Sequence, residues 1–274
     1  MSFLSDLHMH TVFSDGLSVS EDYIQEAVKR GFLSIGFSEH SFTAFDLSFC
    51  MSEERREVYL KKLPLLKEQY KGKIEIYTGE EFDVFSDKEA EKLRDLDYVI
   101  GACHYIDVGE EKRAVDHNEK FALETADKYF GGDYAAYAAA YFPKLAELSK
   151  MPEVDIIAHF DLVTKFNEGG KYFDENDVRY RNAAIYAMEK LSGAGKIFEI
   201  NTGAITRGYR SKPYPSEYLL GVLYEIGGKI TFSSDSHRAE NMGAYFDDAI
   251  KIAKKCGFSE AFMLYHGEFT PVKI

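Results

Sequence analysis

No stretch of the 274 residues approaches the ~20 consecutive apolar residues that a membrane-spanning helix needs. The first residues, Met1-Ser2-Phe3-Leu4-Ser5-Asp6, lack the basic start and apolar core of a secretory signal. A cytoplasmic protein with no membrane partner is expected. Cysteine is scarce: Cys50, Cys103 and Cys256 are an odd number without metal-type spacing, which argues for reduced thiols rather than a disulfide framework. Positive charge is short as well, with 33 Lys and Arg against 46 Asp and Glu and a net charge of −13. No Lys/Arg cluster makes a groove for a phosphodiester backbone, so nucleic acid and anionic membrane surfaces are disfavoured as partners. An anionic substrate would then need a local source of positive charge, and bound metal is the candidate. Internal repeats, low-complexity tracts and linkers are also lacking, and the length is ordinary for an α/β barrel, so one domain over 1–274 is expected.

What is present is an alternation of strand and helix signals. Apolar runs predict strands near 3–8, 34–38, 73–78, 98–103, 154–158, 196–201 and 229–233. Helices are predicted from the capping box Ser18-Val19-Ser20-Glu21 to Gly31, and from Ser52 to Tyr70 with a kink or break at Pro64. Further helices are predicted from Ser86-Asp87-Lys88-Glu89 to Asp95, from Glu175 to Leu191, from Pro215 to Gly227-Gly228 and from Asn241 to Lys255. The alternation loosens in an insertion near 107–150, where two helices are expected, and the chain closes with a hairpin near 262–274 that has Gly267 in its turn. Seven strands each followed by helical sequence predict a parallel, closed or nearly closed barrel of the TIM type, with its site at the C-terminal strand ends.

Those ends carry His8, His10 and Asp15; His40; Glu81; His104; His159; Glu199 and Asn201; and Asp235 and His237. His8 and His10 are two apart on a strand and so point to one side. The turn Ser14-Asp15-Gly16 can bring a carboxylate back over them. Six of the eight histidines fall at strand ends; His117 and His266 do not and are expected to be exposed. A nitrogen and oxygen donor set without thiolate suits zinc, manganese or iron. The donors outnumber what one ion needs, which implies two or three divalent ions sharing a bridging carboxylate.

The ordered set His-x-His, Ser-Asp-Gly, Glu-His, Gly-x-Glu, His, His, Ser-Asp-x-His resembles the polymerase and histidinol phosphatase (PHP) family from Asp6 to His237. Segments such as Gly36-Phe37-Ser38-Glu39-His40-Ser41, Ala158-His159-Phe160-Asp161-Leu162, Glu199-Ile200-Asn201-Thr202-Gly203 and Ser234-Asp235-Ser236-His237 are similar to its stand-alone phosphatases rather than to its polymerase-attached members. The resemblance implies a distorted seven-stranded (β/α) barrel with a trinuclear site. It implies one metal on His8, His10 and Asp235, with Glu81 bridging to a second on His104 and His159, and a third on Asp15, His40 and His237. Glu81, Asp235, His8 and His10 then form the catalytic set.

The activity implied is hydrolysis of a phosphate monoester, L-histidinol phosphate. Coordination lowers the pKa of water from 15.7 to about 7, which provides a metal-activated hydroxide for in-line attack on phosphorus. Arg207, then Arg238 and Lys165, are the expected phosphate clamps. Glu199 and Asn201 are expected at the rim, where they support the ligands or orient substrate or else only hydrogen-bond the strand end, and Asp161 with Glu199 as the acidic lining that suits a substrate amine. A PHP-type phosphatase or phosphodiesterase acting on another small ester such as a nucleotide stays open, as does a noncatalytic metal-binding module.

Overall fold

The computed structural model describes residues 3–86 and 90–274. In chain order, β1 (Ser5–Asp6), α1 (Ser20–Arg30), β2 (Ser34–His40), α2 (Glu53–Gln69), β3 (Glu75–Asp83), α3 (Ala90–Leu93) and β4 (Tyr98–Ala102) form the first half. A departure from the alternation follows, with β5 (Tyr105–Val108), β6 (Glu111–Ala114), α4 (Glu119–Phe130) and α5 (Tyr134–Leu145). The alternation resumes in β7 (Ile156–Ile157), α6 (Val178–Gly193), β8 (Ile197–Asn201), α7 (Gly203–Thr206), α8 (Glu217–Glu225), β9 (Lys229–Ser233) and α9 (Phe246–Lys255). The hairpin β10 (Glu260–Tyr265) and β11 (Glu268–Lys273) ends the chain, turned by His266 and Gly267 at φ 54° and 76°.

Seven strands pair in parallel in the order β1-β2-β3-β4-β7-β8-β9. The two edges meet just beyond β1 and β9, where Met9 and Ser236 form a parallel bridge. There His10 N donates to Ser236 O at 2.9 Å and Ser236 N donates to His8 O at 3.2 Å. The expected seven-stranded barrel is therefore nearly closed, and its seam joins the segment of His8 and His10 to that of Asp235 and His237.

The barrel interior explains two of its glycines. Tyr98 lies across the floor, and its hydroxyl donates to Leu7 O. A Cβ on Gly36 would come within 2.4 Å of the Tyr98 hydroxyl oxygen, and one on Gly79 within 2.4 Å of its Cζ. Strand glycines here make room for a ring rather than for a turn. Leu264 of β10 packs with Leu7, Ile156 and Ile197, and His266 N donates to Glu75 at the start of β3 at 2.7 Å, so the terminal hairpin covers the N-terminal end of the barrel. Gly79→Ala is expected to cost about 1–3 kcal/mol through overpacking. A lowered denaturant midpoint measures this, and part of the loss should return in Gly79→Ala combined with Tyr98→Leu.

Several boundaries differ from the sequence reading. Helix α2 runs unbroken through Pro64, held by a Ser52 cap (Arg55 N to Ser52 Oγ, 3.3 Å) and by burial of Tyr59, Leu63 and Leu66. The loss of one amide donor does not outweigh that packing. Strand β3 continues past residue 78 to Asp83 in register with β2 and β4. The start of the helix expected from Ser86 includes Asp87, Lys88 and Glu89, which lie outside the described residues. The 107–150 region opens not with a helix but with the β5–β6 hairpin, turned by Gly109 at φ 67°. Cys103 is buried, Cys50 and Cys256 are half-buried, and all three are free thiols. Among the described residues no helix is long and apolar enough to cross a membrane.

Candidate metal centre

Glu81, near the end of β3, occupies the middle of the bowl. Its Oε2 lies 3.2 Å from His8 Nε2, 3.4 Å from His10 Nε2 and 3.0 Å from His40 Nδ1. Its Oε1 lies 2.9 Å from His159 Nε2 and 3.5 Å from His104 Nε2. One carboxylate thus addresses two sets of imidazoles with its two oxygens, as a bridging ligand must. Asp235 Oδ1 lies 3.8 Å from His8 Nε2, 3.6 Å from His10 Nε2 and 3.8 Å from His237 Nδ1. Asp15 meets His40 Nε2 at 3.7 Å and His237 Nε2 at 3.2 Å. The donor atoms of His8, His10 and Glu81, of His40, Glu81 and His104, and of His10, His40 and His237 each fall within 4.8 Å of one another.

The rings are aimed by the groups behind them. His8 Nδ1 donates to Glu199 Oε2 at 2.8 Å, His104 Nδ1 to Asp83 Oδ2 at 2.9 Å, and His237 Nδ1 to the Asp235 carbonyl at 3.1 Å. In each case the proton goes to Nδ1 and the Nε2 lone pair faces the bowl, the usual device for orienting a metal ligand. Asp235 adopts φ 47°, a conformation sparsely populated by non-glycine residues. Arg207 holds it there, donating to its carbonyl at 2.9 Å and to its Oδ2 at 2.8 Å. Gly203 leaves room for it, since a Cβ there would lie 2.9 Å from the Asp235 Cβ. The Asp15 loop hangs on buried Glu39, which accepts from Thr11 N at 3.1 Å, from Thr11 Oγ1 at 2.6 Å and from Ser14 Oγ. Gly16 packs so closely on the His10 carbonyl that a Cβ would stand 2.1 Å from its oxygen.

These residues fit divalent metal. Glu81 Oε2, Asp15 Oδ1 and His10 Nδ1 are buried without a hydrogen-bond partner, although three ring nitrogens crowd around the first. Burial, then the neighbouring charge of His40, pushes the His10 imidazole down to about 3, so it is neutral, the form that ligates metal. Burial opposes ionisation of Glu81, but His8, His40 and His104 hold its carboxyl well below the usual range. Burial likewise opposes ionisation of Asp235, while Arg207 and then His8 hold its carboxyl well below the usual range. Without metal, the neighbouring carboxylates outweigh burial and hold the His8, His40 and His104 imidazoles above their usual range; a divalent ion would take the place of those protons, leaving the neutral imidazoles and ionised carboxylates that zinc and related ions prefer.

All nine predicted metal ligands converge here, but the predicted substrate groups divide. Arg207 and Lys165 line a cleft of about 280 Å³ over the cluster. Arg238 is outside it, 54 % exposed and 3.8 Å from Glu240. Glu199, Asn201 and Asp161 are fully buried instead of standing at a rim. Glu199 also accepts from His159 N at 2.6 Å, Asn201 Nδ2 at 2.7 Å and Ser233 Oγ at 2.7 Å, which fills its oxygens from below. Asn201 spans Glu199 and Asp235, the latter at 3.4 Å. Asp161 accepts from Ser216 N at 3.0 Å, and burial pushes its carboxyl up to about 6. Strand β8 ends at Asn201 as expected, but the Glu199 carboxylate is taken up behind the ligands by His8 Nδ1 and His159 N, and Asn201 Oδ1 by Gly203 N, so neither lines the cleft. Sequence reading missed Asp83, which shares the face of Glu81 two residues on; ending that strand at 78 hid it. It also missed Phe49, Tyr105, Asp116 and Tyr209, which line the cleft from loops and from the β5–β6 hairpin. His117 is exposed as expected, yet it too borders the cleft.

A parallel barrel that gathers six histidines and three carboxylates in one bowl offers a donor set that suits divalent metal, the class of site its fold and side chains define. The PHP domain model matches residues 6–203, and the chain belongs to that family. It is similar to a probable histidinol-phosphatase of Schizosaccharomyces pombe (27 % identity over 90 % of this chain and 84 % of that protein). It is also similar to the histidinol-phosphatase of Bacillus subtilis (25 % identity, 88 % and 96 %). Among solved structures it resembles a histidinol phosphate phosphatase of Lactococcus lactis crystallised with zinc, L-histidinol and phosphate, with a TM-score of 0.68 at 21 % identity over 98 % of this chain and 99 % of that one. A Listeria monocytogenes structure superposes with a TM-score of 0.78 at 17 % identity, covering 89 % and 99 %. Both likenesses establish the fold.

Proposed function

We propose that this chain is a cytoplasmic, metal-dependent phosphomonoesterase that hydrolyses L-histidinol phosphate to L-histidinol and phosphate. The observation that carries the reading is Glu81, whose two oxygens face separate imidazole sets beneath a cleft that Arg207 borders. Curated relatives of the same name, matched over most of their length, support the choice of substrate. Two or three zinc, manganese or iron ions are inferred. His8, His10, Glu81 and Asp235 would hold one, Glu81, His104 and His159 a second, and Asp15, His40 and His237 a third. Bound there, divalent ions supply Lewis-acid polarisation of phosphoryl oxygens and of a water.

The chain's own residues do the rest. Arg207 is kept oriented by its two bonds to Asp235 and turns its guanidinium to the cleft, where it can pair with phosphate oxygens. Glu199 and Asp83 hold the protons of His8 and His104 on Nδ1, away from the reacting side. Phe49 stands edge-on to His40, with ring centroids 4.9 Å apart, and limits water at that wall.

Phosphate release from L-histidinol phosphate, compared with a panel of nucleotides in Mn²⁺ or Zn²⁺, tests the assignment. A clear preference for L-histidinol phosphate is expected, and equal turnover of nucleotides would sink it. Chelation gives an independent check on the centre. Metal at 100 times its Kd adds about 2.7 kcal/mol to the folded state, so EDTA should lower Tm by several degrees and re-added Zn²⁺ should restore it. An unchanged melting curve would contradict a site built from these buried donors.

A further inference from the structure

An amino-alcohol leaving group carries an ammonium, yet the two carboxylates expected to meet it, Asp161 and Glu199, are fully buried. Two other carboxylates face the cleft, Asp46 and Asp116. Asp46 is already occupied: its Oδ1 accepts from Ser48 N at 3.1 Å and Ser48 Oγ at 2.6 Å, and its Oδ2 from the Tyr105 hydroxyl at 2.8 Å. Asp116, on the loop between β6 and α4, is only half used. Lys165 Nζ donates to its carbonyl at 2.9 Å and to Oδ2 at 3.3 Å. Its Oδ1 has no hydrogen-bond partner among the described residues, and the side chain retains 27 % exposure to the cleft.

Lys165 is pinned from behind. Besides its two bonds to Asp116, its ammonium lies 4.7 Å from the Tyr209 ring centroid, and the side chain is only 11 % exposed. It therefore fixes the Asp116 loop and leaves one carboxylate oxygen directed at the cleft. Arg207 lines the same cleft and offers its guanidinium to the phosphate end of a substrate. A ligand bound with opposite charges at its two ends matches this layout. A leaving group without a cation would cover Oδ1 and strip its water without replacing it, which disfavours such esters.

We propose that Asp116 is a specificity-determining residue that accepts a hydrogen bond from the leaving group's ammonium through Oδ1, so that the enzyme selects phosphate esters of amino alcohols over the same esters lacking the amine. The proposal rests on the phosphatase reading above. It is tested with L-histidinol phosphate and imidazolylpropyl phosphate, which differ only in the amine. Asp116→Asn is expected to lower kcat/KM for L-histidinol phosphate about tenfold, mainly through KM, the size of one hydrogen bond to a charged group. Turnover of imidazolylpropyl phosphate and metal content should hardly change. Equal losses on both esters, or none on either, would overturn the proposal. A second measurement needs no variant: L-histidinol should inhibit the wild type about tenfold more strongly than imidazolylpropanol, and equal inhibition would also overturn it. Failure of the functional assignment looks different, because the wild type itself then fails to prefer L-histidinol phosphate over nucleotides.

Discussion

Glu81→Gln is expected to lower phosphate release by on the order of 10³-fold, since a Lewis-acid contribution of several kcal/mol is lost and each 1.36 kcal/mol is a factor of ten. The two oxygens of Glu81 stand within 3.5 Å of five ring nitrogens, more than any other carboxylate among the described residues. An amide keeps the shape but offers one oxygen, and it turns an N–H₂ group toward imidazoles whose lone pairs point at the same spot. The charge that balances bound cations is lost with it. The barrel should survive, because Glu81 is not among the packed groups of its floor and the isosteric amide leaves no cavity. Steady-state kinetics, elemental analysis and circular dichroism on the same sample check this. Near-normal turnover with full metal content would refute the bridging role, and an unfolded variant would refute the separation of site from scaffold.

Glu199→Gln should weaken metal affinity and turnover by about 10–100-fold, the usual cost of losing the carboxylate behind a ligating histidine. Glu199 is fully buried and receives His8 Nδ1, His159 N, Ser233 Oγ and Asn201 Nδ2. A glutamine cannot accept at both termini. If its N–H₂ group faces His8, it pushes the ring proton to Nε2, the atom aimed at Glu81. The defect therefore lies in metal occupancy and should recover substantially as Zn²⁺ or Mn²⁺ is raised. A loss that added metal leaves untouched would assign Glu199 to the reaction itself, and no loss would remove it from the site's support.

The strand and helix pattern made the barrel legible because each strand is a continuous apolar run and each ligand follows such a run directly. His8, His10, His40, His104, His159, Asp235 and His237 needed only the rule that parallel barrels build their sites at one end. Glu199 supports the candidate ligand His8, one of the roles expected of it, but the rim position of Glu199 and Asn201 and the cleft position of Asp161 do not hold, for the complementary reason. Whether a polar residue near a strand end faces the cleft or the floor depends on one or two residues of register, which apolar runs do not resolve. Asp83 is hidden in the same way, because the clear alternation of β3 stops at 78 while the strand itself runs on. The β5–β6 hairpin carried a signal in Gly109 between two short alternating segments. Tyr105, at the start of that hairpin, and Asp116, just past its end, share the cleft with Tyr209 from a loop much later in the sequence, and no local periodicity encodes that meeting. Pro64 shows the reverse error: a local rule for breaking helices was outweighed by three buried side chains.

The central claim is a shared-carboxylate metal centre, and metal stoichiometry tests it most directly. Apoprotein titrated with Zn²⁺ or Mn²⁺, with bound metal and phosphate release from L-histidinol phosphate followed together, should take up two to three ions per chain. Activity should appear only after the second ion binds. Saturation at one ion with full activity would contradict the account.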